Sequence, residues 1–570
     1  MQVLFKSTIA PARPTWRSEA PALEGISAES RPRLARLVLL LVLALGVGVR
    51  LYHFFYNRSF FIDELYLNVN TIKMGFWELA TGPFDYQQKA PVGYLWAARL
   101  CVMLFGKKEM ALRLFPLLCG LGTLAAFTVV ARHFLKAWGA VVAVGILALS
   151  APVIYHSVEA KQYSTELLVA ALALLWYVRF HRQARWPALL AWGVLGAVAL
   201  WFSFSVIFVL AGMAIVVSSR LLLARRWRKL FRYLVPFTLW LVTFAVQYHF
   251  FIGKYPQSGW LIDFFDKVYH GFMPLPPASV ADLVWYVRQP YILLLDPLGL
   301  LIHLDGNWGY LQESSWRYLF KMGWLPAGLL VGGMGVAYVR QRTLFFCLLL
   351  TLVLVLLASG LRMYPFTGRF VLFLTPVLAL FIGFGIDRLC ELFQHRPAWF
   401  YTPVALLLLM LGINTGRQLA YTDLVMCREY NRDPLLYVNA HYQPGDVVYV
   451  FWNMSHAYEY YKDAYQLKFD AVQGRNPKSY SRNAAEFLRN LEPDFRQFKG
   501  KKRLWFVHDY ENRNAIGEYV FQPPWYHHTS FVPSNEVQAR FGRMGRKVTE
   551  FRHKSYKRYP HAVALFELNP

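Results

Sequence analysis

Six ionisable residues far apart in this chain have the types needed for group-transfer chemistry: Asp63, Glu64, Lys89, Glu159, Arg362 and Arg369. Each lies at the mouth of an apolar run, where an ionisable group is costly enough to mark function. Asp63-Glu64 follows Phe60-Phe61-Ile62. A carboxylate pair at an apolar surface can have one pKa raised and act as a base near neutrality, or simply cap a helix. Lys89, in QKAPVGYL, comes just before Pro91, a good first helical residue. A lysine there favours an anion and equally suits a headgroup-level anchor. Glu159, Lys161 and Tyr163 form EAKQY, whose spacing predicts Glu159 and Tyr163 on one helical face. Arg362, Tyr364 and Arg369 form RMYPFTGR, where two arginines around a Pro/Gly turn can clamp a phosphate or anchor the flanking spans.

The elements that must position these residues are membrane helices. Hydrophobic residues are 56% of the 570 and charged residues only 16%. Apolar runs recur from residue 36 to 416, predicting an all-α membrane domain of about 11 spans. The expected spans are 36–54, 113–131, 138–156, 165–181, two within 187–219, 234–252, 318–338, 343–360, 370–386 and 399–416. The apolar stretch 91–105 is read as an interfacial helix in the first outer loop, because that keeps Arg132, His133 and Lys136 inside. The net charge of +26 falls largely in short loops between spans. That is the positive-inside pattern, and it argues against nucleic acid as a partner. With the N-terminus cytoplasmic, all six residues emerge on the opposite side.

Residues 1–33 read as a disordered cytoplasmic tail, 34–419 as the transmembrane domain and 420–570 as a soluble extracytoplasmic α/β domain. In the last, DVVYVF after the PGD turn, RLWFVHD and AVALFEL read as strands. The five cysteines have no CxxC or paired spacing, so neither a disulfide framework nor a zinc site is expected. There is no GxGxxG, P-loop or HExxH. An outward site has no nucleotide donor at hand, and a lipid phosphate arriving through the membrane matches the cations.

Taken in order, the acidic pair after span one, K-x-P-x-x-Y, E-x-K-x-Y and Y-P-F-x-G-R resemble the GT-C membrane glycosyltransferases. The family 39-like enzymes, which include aminoarabinose transferases and protein O-mannosyltransferases, are the nearest in character. The resemblance covers residues 36–416. It implies Asp63 as catalytic acid-base residue, Glu64 and Glu159 as further acids, and Lys89 and Arg369 on the donor phosphate, with Arg362 beside them. Tyr163 and Tyr364 would line the pocket. Lys161 stands where an arginine is more usual, which removes a bidentate contact. The implied reaction is an inverting transfer from a polyprenyl-phosphate sugar to an acceptor such as lipid A, another glycolipid, a polysaccharide or a protein, at a bacterial plasma membrane. No cofactor is required, although Mg or Mn bridging Asp63 or Glu159 to phosphate is compatible with the acids. Loop 253–317 is expected to cover the pocket. A transporter would place its charges near the midplane and show repeats, and an O-antigen ligase or polymerase would carry more arginines in that loop.

Overall fold

The computed structural model describes residues 30–252, 259–301, 323–509, 523–527, 531–552 and 562–569. The tail expected at 1–33 lies almost wholly outside them. The chain runs through α1 (Ser30–Tyr56), α2 (Ile62–Lys73), α3 (Phe76–Thr81), α4 (Val92–Phe105), α5 (Glu109–Phe134), α6 (Ala137–Leu149), α7 (Ala151–Ser157), α8 (Tyr163–Phe180) and α9 (Trp186–Phe202). It continues through α10 (Val206–Leu223), α11 (Trp227–Gln247), α12 (Gly259–Lys267), α13 (Val280–Leu295), α14 (Trp324–Arg340), α15 (Arg342–Gly360), α16 (Thr375–Leu392) and α17 (Pro397–Ala420). Hydrocarbon offers backbone groups no partner, so apolar runs of this length must satisfy themselves as helices.

Among the described residues, 8 helices are long and apolar enough to cross a bilayer, and the bent pair α6–α7 makes a ninth. Nine of the eleven expected spans are accounted for among the described residues. α9 is only 17 residues long, and the span expected at 318–338 begins in residues outside the description. α4, at 14 residues, is too short to cross, as expected of an interfacial helix. Loop 253–317 is not an open loop where it is described, for it contains α12 and α13.

Exposed Leu37, Leu40 and Leu41 on α1 and Leu241 on α11 belong to the lipid-facing band. Inside, small residues let backbones meet. A Cβ on Gly46 of α1 would lie 2.8 Å from the Cβ of Ala148, and one on Gly333 of α14 only 1.7 Å from the Phe381 carbonyl oxygen. The stretch 368–392 is the central span, 94% of its window buried by the others.

The 51° break between α6 and α7 frees backbone carbonyls, and two other helices satisfy them. Arg50 of α1, fully buried, donates to the carbonyls of Leu147 (2.7 Å) and Ala148 (2.8 Å). Thr415 of α17 donates to Leu149 at 2.6 Å. Ser150 donates to Pro297 at 2.7 Å, and Asn414 holds Gly299 and Leu301 at 2.9 and 2.8 Å. The break thus fixes α7, and the turn after it, against the segment that follows α13.

The C-terminal region adds α18 (Arg432–His441), β1 (Val447–Val450), α19 (Ser455–Tyr465), β2 (Ala471–Gln473), β3 (Arg503–His508), α20 (Pro533–Met544), β4 (Gly545–Arg552) and β5 (Ala562–Leu568). The three expected strands are β1, β3 and β5. β2 and β4 escaped notice because one has three residues and the other carries charge along its length. The sheet order is β2-β1-β3-β5-β4, with β2, β1 and β3 parallel and the other two antiparallel. One sheet face, Val448, Val450, Trp505 and Val507, shares a single core with Phe60, Leu65 and Leu67 at the start of α2. Glu109 reinforces the junction, meeting Arg432 at 3.0 Å and the Tyr465 hydroxyl at 2.7 Å.

Candidate active site

α2 begins at Ile62, and the Glu64 side chain reaches back to the Phe61 N–H at 3.2 Å. Successive helical residues diverge by about 100°, so the two acids face different ways. Glu64 is fully buried. Both its oxygens lie 3.0 Å from Arg113 Nη2, and it also accepts from the Ala160 N–H at 2.8 Å. Asn68, one turn on, donates to the Ala160 carbonyl at 3.0 Å. Glu64 is thus the peg that holds turn 158–162 to α2. Every contact it makes is structural.

Asp63 points to the other side, where its carboxylate is ion-paired and hydrogen-bonded to Arg369. Arg369 enters at the outer end of the central span, with its guanidinium carbon 5.4 Å from the centre of the Tyr163 ring. Burial raises the Asp63 carboxyl, but Arg369 and Lys161 outweigh it and hold the group below the usual aspartate range. Lys161 is buried and donates to Gln88 at 2.7 Å. Burial pulls its ammonium down to about 8, with Asp63 opposing the shift and Arg369 adding to it.

Glu159 is fully buried beside them, 2.6 Å from His156 Nδ1. Burial raises its carboxyl, while His156 and then Arg369 bring it below the ordinary glutamate range. Its Oε1 has no hydrogen-bond partner. Helix α8 starts only at Tyr163, so Glu159 sits on the preceding turn and the helical face expected for Glu159 and Tyr163 does not form. Tyr163 instead packs edge-on against His156 and Phe370. Arg428, beyond the last span, lies over the Phe61 and Tyr155 rings at 5.0 and 4.6 Å. Asp296 closes the group. A Cβ on Gly368 would lie 3.7 Å from its Oδ2, and its Oδ1 is buried without a partner. Burial pushes its carboxyl up, with His156 and Arg428 opposing.

The structure therefore brings together Asp63, Glu159, Lys161, Tyr163 and Arg369. It does not bring Arg362, which pairs with Asp266 of α12 at 3.0 Å on the surface, so the two arginines form no common clamp. Tyr364 donates to the Phe370 carbonyl at 2.8 Å and packs on Phe208 and Phe373, behind the site. Lys89 is exposed on the strand of chain next to Gln88. His156, Asp296 and Arg428 were not anticipated. His156 had a signal, three residues before Glu159 in HSVE; Asp296 in LLLDPLG and Arg428 had none without the fold. Arg369 engages Asp63, His156 engages Glu159, and among the described residues no three His, Cys, Asp or Glu side chains gather as a metal site. Asp63 thus lies amid Arg369, Lys161 and Arg428, while Glu159 and Asp296 each keep one buried carboxylate oxygen without a hydrogen-bond partner.

Residues 89–249 match the family model of dolichyl-phosphate-mannose-protein mannosyltransferases. The matched segment is less than a third of the chain. It runs from Lys89 through Glu159, Lys161 and Tyr163 to the end of α11, and leaves Asp63 and Arg369 outside. The fold is similar to that of ArnT from Cupriavidus metallidurans bound to undecaprenyl phosphate, with a TM-score of 0.50 and 14% identity over 94% of this chain and 98% of that one. A second similarity is to the archaeal oligosaccharyltransferase AglB from Archaeoglobus fulgidus, in complex with an inhibitory peptide and a dolichol-phosphate. There the TM-score is 0.45 and the identity 12%, over 83% of this chain and 69% of that one. No curated protein matches.

Proposed function

We propose that this chain moves a sugar from a polyprenyl-phosphate donor to a hydroxyl of a glycan, lipid or protein acceptor on the non-cytoplasmic side of a bacterial plasma membrane. The observation that carries this reading is the Asp63–Arg369 pair with Lys161 beside it, drawn together from three distant segments. As paired, Asp63 is a weak base. When a donor phosphate arrives, it competes for the Arg369 guanidinium, which suits phosphate bidentately. Asp63 then loses its counter-charge and its basicity rises as the leaving group is seated. The acceptor O–H gives its proton to Asp63 while its oxygen bonds to the anomeric carbon. The bond from that carbon to the phosphate oxygen breaks, and the pair of electrons leaves with the phosphate, stabilised by Arg369 and Lys161. A single displacement inverts the anomeric centre. Lys89 is one residue from Gln88, and its long side chain would approach the phosphate from the outer rim.

The test is transfer by the purified protein in nanodiscs, supplied with an undecaprenyl-phosphate sugar or with the corresponding nucleotide sugar. Transfer from the lipid donor only is expected. Transfer from the nucleotide sugar alone would refute the reading.

A further inference from the structure

Four residues past Asp63's neighbour Ile62, on the same outer side of α2, the Tyr66 ring lies flat on that of Tyr86. Their centroids are 4.3 Å apart and their planes 2° from parallel, and both side chains are partly open to solvent. His456 of α19 stands edge-on to both, at 5.3 and 6.4 Å. The turn that presents Tyr86 is built at a cost. Tyr86 and Gln87 have φ of 61° and 50°, left-handed values that side-chain-bearing residues seldom adopt. Strain of this kind persists only where the surroundings over-determine it, and it concentrates at ligand clamps. Here Asn70 holds the turn on one side, accepting from the Asp85 N–H at 2.8 Å and donating to the Asp85 carbonyl at 3.2 Å. Gln88 holds it on the other side through Lys161. The aromatic stack is thus rigidly coupled to Lys161 and Asp63. It lies where the C-terminal region meets the first outer loop.

From this we infer that the Tyr66–Tyr86 stack is a saccharide platform that seats a sugar ring of the acceptor beside Asp63. A flat, partly open ring face carries negative charge density, which suits the C–H groups on one face of a pyranose. The rim then carries a polar side chain near its hydroxyls, Gln87, exposed on the same turn. The inference rests on the glycosyl-transfer reading and adds to it the class of acceptor, a glycan or glycolipid rather than a bare protein hydroxyl.

Saturation-transfer NMR on the full-length protein in nanodiscs, with free chitobiose, cellobiose and maltose as probes, tests it. At least one disaccharide should show saturation of its ring C–H protons. Tyr66→Leu and Tyr86→Leu should weaken that binding about ten-fold, and Tyr66→Phe and Tyr86→Phe should keep it, because the ring faces survive. Undecaprenyl phosphate binding should be unchanged in all four. Retained disaccharide binding in the leucine variants, equal loss in the phenylalanine variants, or no disaccharide binding by a wild-type protein that still binds undecaprenyl phosphate would each overturn the platform. Failure of wild type to bind undecaprenyl phosphate would instead strike the glycosyl-transfer reading itself.

Discussion

At the scale of single residues, the two neighbouring acids have separate fates. Glu64 is a buried structural acid and Asp63 is the proposed base, so Asp63→Asn should lower transfer by ~10²–10⁴-fold with melting temperature and donor binding retained. Near-normal turnover would remove Asp63 from the mechanism. Lys161 sets a pH dependence whose sign follows from its depressed pKa. Above about 8 the folded protein loses this ammonium. Binding of undecaprenyl phosphate should therefore weaken as pH rises past that value, and Lys161→Arg should abolish the alkaline limb. Stability moves the other way. The unfolded lysine keeps its proton up to its ordinary value of 10.5, so between about 8 and 10.5 the unfolded chain binds more protons and folding gains with pH. A donor affinity that is flat from pH 7 to 9.5 would exclude Lys161 from the phosphate site.

Elements, rather than residues, decide where these side chains meet. Glu64 and Asn68 of α2 pin turn 158–162, and Arg113 of α5 neutralises Glu64. Arg113→Met would strip buried Glu64 of its main partner and leave only Arg58, 3.9 Å away, a defect approaching the ~3–5 kcal/mol of a broken buried pair, seen as a fall in melting temperature in detergent. Glu64→Gln with Arg113→Met should recover part of it. If Arg113→Met melts like wild type, the peg role of Glu64 is wrong. The sequence disclosed most spans through apolar run length, and β1, β3 and β5 through short β-rich runs. It hid what depends on breaks and turns. Nothing in ALSAPVIYHSVEA announces a 51° bend at Ser150 or a non-helical turn at Glu159. Arg362 and Arg369, seven residues apart, look like a clamp until the fold gives Arg362 to Asp266. Asp296 lies within a loop whose helices α12 and α13 were not foreseen.

For the whole molecule, the notable fact is a core without a seam. Phe60, Leu65 and Leu67 at the start of α2 pack in one cluster with Val448, Val450 and Trp505 of the sheet. Deleting residues 420–570 should therefore uncover the apolar side of α2 and abolish activity. Arg432→Ala, which cuts the link to Glu109, should raise hydrogen exchange in α2 and α18 together. Exchange that rises in α18 alone would show the two regions to be independent. The proposed sidedness is checked by Lys501→Cys, an exposed position. In intact cells a membrane-impermeant maleimide should label it, and protection beside a labelled outer control would reverse the topology.

Arg50 carries a consequence for how the protein is made. Its carbonyl partners lie 97 and 98 residues further along the chain, so α1 leaves the ribosome long before they exist. Until then a guanidinium near the end of the span lacks these partners, at a cost below the ~2.5–3.5 kcal/mol of an arginine at the helix centre. Lateral release of α1 into lipid should wait for α6, and the first three crossings should enter the bilayer as one cohort. The same substitution must then have opposite effects on a fragment and on the finished protein. Arg50→Leu should lengthen the half-life of a chain ending at residue 135, which lacks α6, and shorten that of the full-length chain. A change of the same sign in both would mean that α1 settles into the membrane on its own.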